Sequence, residues 1–122
     1  MTKEKGERIM TSKDLKVLMI EPNKEPYVKV IKDELSELQE QVGGLIDVIC
    51  LGEGTTNKEI AIDLVINDEG KLISLPFNRW LFSVGINDFI VGNAFLVASN
   101  QDGDFVSLPE EEIKKWSYEF RL

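Results

Sequence analysis

Hydrophobic residues fall along the chain in short blocks of two kinds. Leu15–Ile20 (LKVLMI) is almost wholly apolar, as a strand buried on both faces is. Pro22 and Pro26 bracket a polar tip that turns the chain, and Tyr27–Ile31 (YVKVI) predicts a second strand antiparallel to the first. Between about Asp33 and Val42 the period changes. Ile31, Leu35, Leu38 and Val42 follow one another at spacings of four, three and four, the signature of one helical face, with Glu34, Glu37, Glu40 and Gln41 opposite. Gly43-Gly44 ends this helix, one glycine suiting the left-handed position that follows. Because the pair closes a helix and does not open one, it predicts a cap and not a phosphate cradle.

Further strands are predicted at Leu45–Leu51 (LIDVICL) and Ile60–Asn67 (IAIDLVIN), joined by the polar loop Gly52–Glu59. Asp68-Glu69-Gly70 predicts a tight turn, after which Lys71–Leu75 (KLISL) returns as a fifth strand. Pro76–Phe82 is expected to be irregular or a single helical turn. Phe89–Ser99 predicts a sixth strand, bent or bulged at Gly92. Gln101–Asp104 is a turn, and Ser107-Leu108-Pro109-Glu110 fits a capping box opening a last helix whose Ile113, Trp116 and Phe120 share a face. Residues 1–13 lack apolar periodicity apart from Ile9 and Met10 and are expected to form a flexible charged tail to a single domain over 14–122. The fold class implied is α+β: a mostly antiparallel sheet of about five or six strands with the two helices packed on one face.

Composition narrows the chemistry. The 122 residues contain no His and one Cys, which removes His-based triads, His-ligated metals, zinc knuckles and disulfide scaffolds. Cys50, inside an apolar run, is expected to be a small reduced core residue. Net charge is −8, with residues 1–14 at +1 and the rest of the chain at −9. A body so acidic repels a phosphate backbone, so no direct nucleic-acid binding is expected. The charge serves solubility, or else it fills a basic site on a partner. No apolar run is long enough for a membrane span and no h-region follows the first residues, so no membrane contact and a cytoplasmic location are expected.

Enzymatic constellations are sparse. No Walker loop, GxGxxG or GxSxG is present, and no cofactor or metal is expected. Asp47 and Asp63 interrupt apolar strands and would form an acid–base pair if they shared one sheet face. The most informative stretch is Leu75-Pro76-Phe77-Asn78-Arg79-Trp80-Leu81. Arg79 is the only Arg between positions 9 and 120 in a chain that uses Lys at 11 positions. A guanidinium supplies a planar fork suited to carboxylate or phosphate, Asn78 an amide, and Phe77 and Trp80 rings for stacking. Two readings are open: a ligand site for a small anion, or a structural turn in which Arg79 is a strut and the rings fill the core.

The order of motifs resembles domain-of-unknown-function family 3846. The residues concerned are Leu15–Ile20 into Glu21-Pro22, Glu25-Pro26-Tyr27-Val28, Leu35-x-x-Leu38-Gln39, Val42-Gly43-Gly44, Asn67-x-Glu69-Gly70-Lys71-Leu72, Leu75-Pro76-x-Asn78-Arg79, Ile90-Val91-Gly92 and Asp104-Phe105-x-Ser107-Leu108. The resemblance spans roughly residues 15–120 and implies a small protein of gut bacteria, their phages and mobile elements, with no assigned activity. The expectation is a non-catalytic binding protein that counters host defence by sequestering a small anionic, nucleotide-like ligand through Asn78 and Arg79. The alternative is an acidic inhibitor that occupies a host defence protein by mimicking nucleic acid, and a third is a small hydrolase using Asp47 and Asp63. A homo-oligomer is left open.

Overall fold

The computed structural model describes residues 13–122, so the tail expected over 1–13 lies, apart from Lys13, outside the described residues. Strand β1 (Asp14–Ile20) turns through the two prolines into β2 (Tyr27–Lys32), antiparallel as expected, with Leu15 opposite Ile31 and Met19 opposite Tyr27. Helix α1 (Leu35–Val42) ends on Gly43, whose φ of 79° places it in the left-handed region as a cap. Two further antiparallel strands follow, β3 (Ile46–Glu53) and β4 (Ala61–Asn67). After β5 (Phe77–Trp80) and one 3₁₀ turn come β6 (Phe89–Val91), β7 (Ala94–Ser99), the short β8 (Phe105–Val106) and helix α2 (Glu110–Glu119).

Among the described residues, six strands form one antiparallel sheet in the order β2-β1-β7-β4-β3, with β8 also paired to β7. A second sheet contains only β5 and β6. The class is therefore α+β. Strand β7 lies in the middle, between β1 and β4, although it is made after both.

Alternation along β1 separates two cores. Leu18 and Ile20 join Ile62, Leu64, Leu96 and the α2 residues Ile113, Trp116 and Phe120. Leu15, Val17 and Met19 join Val65, Phe95, Val97 and the α1 residues Leu38 and Val42. Successive side chains on a strand point to opposite faces. The helices thus cover opposite faces of the sheet, not one face. The β5–β6 hairpin shares the α2 face, where Leu81 and Ile90 enter the same core.

Other expectations are corrected. Lys71–Leu75 is not a strand but a turn, held by Ile73 N–H donating to Glu69 O and Leu75 N–H to Gly70 O. The long strand expected over Phe89–Ser99 is two strands in two sheets, broken where Gly92 adopts a φ of 71°. Cys50 is exposed rather than part of a core. On α1, Leu35 is exposed, while Gln41 is buried, accepting from Lys29 Nζ at 2.8 Å. Ser107 does not cap α2, since the cap residue is Pro109 and makes no side-chain bond. Instead, Ser107 Oγ accepts the Lys16 N–H at 2.9 Å, one residue before Leu108 N–H donates to Lys16 O. Ser107→Ala should accordingly lower stability by about 1 kcal/mol, the worth of one such bond, in urea melts.

Candidate functional site

The β5–β6 hairpin carries the residues singled out in the sequence, and a bulge decides where each one points. Phe77 pairs with Val91 and Trp80 with Phe89, but the register shifts between Phe77 and Arg79. One extra residue on a strand puts two consecutive side chains out of alternation. Asn78 and Arg79 therefore both turn inward, while Phe77 and Trp80 share the outer face.

Asn78 is 4% exposed. Its Nδ2 donates to Ile20 O and Gly92 O, each at 2.8 Å, and its Oδ1 accepts from Arg79 at 2.8 Å. This ties the end of β1 to the break between β6 and β7. Arg79 is 8% exposed. Its Nε donates to Phe120 O at 2.9 Å, one terminal nitrogen to Glu21 O at 3.2 Å, and the other to Lys24 O at 2.6 Å. Burial pulls its pKa below the ordinary value, and the Glu25 charge opposes that. The fork thus stitches the β1–β2 turn, the hairpin and the end of α2 together through main-chain oxygens. Of the two readings open for Arg79, this arrangement is that of a strut.

Phe77 and Trp80 do not fill the core. Trp80, 56% exposed, stacks on Phe82 with ring centroids 5.0 Å apart and planes 13° apart. It also meets Phe77 at 5.5 Å and Phe89 edge-on at 5.4 Å. Four aromatic side chains thus form one outward cluster. Lys71 caps its rim: the ammonium lies 4.2 Å above the Phe89 ring centroid and 2.6 Å from Asp88 Oδ1. The Lys71 bond, helped by the Phe89 N–H, holds the Asp88 carboxyl below its usual pKa. A carboxyl with a depressed folded pKa stabilises at pH values above its unfolded pKa, and the contribution is lost as pH falls through the folded value. Asp88→Asn should therefore lower stability modestly at neutral pH and flatten the acid limb, with the difference from the parent vanishing as pH falls below about 4, as read from urea midpoints across that range.

Beside the cluster, between the β3–β4 edge and β6, lies a groove of about 350 Å³. Asp47, Asp68, Lys71, Leu72 and Asp88 line it over a floor that includes Ile49 and Ile66. Asp47 sits opposite Ile66, and Asp63 opposite Cys50, so the two carboxylates lie on opposite faces of the sheet and do not form a pair. Around α1, Glu34 and Glu40 are exposed, and the half-buried Glu37 accepts from Gln41 at 3.3 Å. Among the described residues no cluster of His, Cys, Asp and Glu is arranged to hold a metal ion, and no helix is long and apolar enough to cross a membrane.

Sequence reasoning missed Glu112. It is 1% exposed and receives the Thr55 N–H at 2.5 Å and Trp116 Nε1–H at 3.1 Å, fastening the loop after β3 to α2. The i, i+4 spacing of Glu112 and Trp116 was the available signal.

The family model described as Domain of unknown function (DUF3846) matches residues 15–121, and the chain belongs to that family. No curated protein and no solved structure matches the chain.

Proposed function

We propose, starting from membership of a family without an assigned role, that this domain is a non-catalytic binding protein of a phage or mobile element. It engages a host protein through the outer face of the β5–β6 hairpin. The observation that carries the reading is the division within four consecutive residues: Asn78 and Arg79 are committed inward, and Phe77 and Trp80 outward. Contiguous exposed aromatic surface is uncommon on a monomeric protein and marks interaction sites. A counter-defence role rests on analogy with other small acidic proteins of such elements and adds nothing to the geometry. Sequestration of a nucleotide-like anion has less support, because the donors it needs already serve main-chain oxygens.

The test is mass spectrometry of the chain purified from cells, first intact and then denatured, with a photo-cross-linking residue at Phe82. The expected outcome is a cross-linked heteromeric species that Trp80→Ser abolishes, with no small anion released on denaturation. A stoichiometric anion in the denatured extract overturns this reading and restores sequestration.

A further inference from the structure

Resting on that reading of the hairpin face, we infer the chemistry of its occupant: a partner-protein segment in which apolar side chains are flanked by lysine or arginine. The apolar half of the argument is the cluster itself. Phe77, Trp80 and Phe82 are each about half exposed, and Leu72, on the turn that shares the groove with Phe89, is 84% exposed. Covering such rings with apolar side chains removes a contiguous hydrocarbon surface from water.

The charged half comes from what surrounds the cluster. The groove that continues it presents three carboxylates, Asp47, Asp68 and Asp88, against one ammonium, Lys71. Lys71 already makes the contact expected of the partner, a cation held over Phe89 and against the Asp88 carboxylate. Asp47 and Asp68 are exposed and form no ion pair among the described residues. At long range the whole chain, at −8, repels a second copy of itself, an anionic lipid surface and nucleic acid, and attracts a basic surface. Apolar anchors would then seat on Trp80 and Phe82 while flanking cations reach the groove, a division between burial and steering that protein interfaces commonly use.

A random-peptide display library panned on the full chain tests this. Parallel panning uses Trp80→Ser with Phe82→Ser, and separately Asp47→Asn with Asp68→Asn, each first shown by circular dichroism to be folded. Recovered peptides are expected to combine aromatic or Leu residues with Lys or Arg and to bind several-fold more weakly as salt rises. The aromatic variant should recover none of them, and the Asn variant should lose only the basic bias. Peptides that need Trp80 and Phe82 but carry no positive bias overturn the inferred partner while leaving the hairpin face as the contact surface. Peptides indifferent to the aromatic variant, or no enrichment at all, overturn both.

Discussion

Arg79→Lys is expected to lower the stability of the domain by roughly 2 to 4 kcal/mol, seen as a lower urea midpoint with an unchanged slope. A lysine keeps the charge but has a single nitrogen at its tip. It cannot span Phe120 O at the end of α2 together with Lys24 O and Glu21 O in the β1–β2 turn. Each carbonyl left without a donor in a buried site costs desolvation that no water repays. The variant also separates the two roles considered for this residue. A stable Arg79→Lys protein with weakened anion binding would return the guanidinium to ligand recognition and undo the assignment as a strut.

Glu112→Gln is expected to have an effect of similar size, roughly 2 to 4 kcal/mol, although it changes a single atom. The carboxylate is acceptor-only, and the Thr55 N–H and Oγ1 and the Trp116 Nε1–H all point at it. An amide turns one accepting oxygen into a donor facing another donor. The negative charge also lies in the first turn of α2, where the unpaired N–H groups of the helix favour an anion. Beyond the melt, amide exchange at Thr55 should accelerate and Trp116 fluorescence should change, because the same group holds both. Unchanged exchange at Thr55 would mean that the loop after β3 is held by something other than this carboxylate.

How much of this was legible follows from the range of the forces involved. Strands β1 and β2 and both helices are written in local periodicity, with a proline-bounded turn and a glycine cap, and these appear close to where the pattern puts them. The apolar run of β1 also carried a clue against placing both helices on one face. A strand apolar on both sides needs covers on both sides, and α1 and α2 supply them. By contrast, Lys71–Leu75 has the composition of a strand, but main-chain bonds close it into a turn. Strand β5 was illegible because its bulge destroys the period of two at the residues that matter. At the candidate site, the unusual Arg and its aromatic neighbours stood out in sequence. Their orientations did not, because the oxygens that capture Arg79 belong to residues 55 positions earlier and 41 later. Glu112 hid in a run of three acidic residues that looks like solvated surface.

The placement of β7 bears on how the chain reaches this state. Two hairpins, β1–β2 and β3–β4, can each close over short loops as soon as they are made. Neither has a sheet to join until β7 arrives and bridges Leu18–Ile20 to Ala61–Val65. Until then each ribbon displays an inner edge of unpaired amides and carbonyls, the kind of edge that captures other extended chains. Non-local pairing of this sort slows folding, because loop entropy is lost before contact energy is gained. The domain therefore spends its most aggregation-prone interval between the completion of residue 67 and the docking of residues 94–99, and a chain stalled there on the ribosome is the species a chaperone would meet.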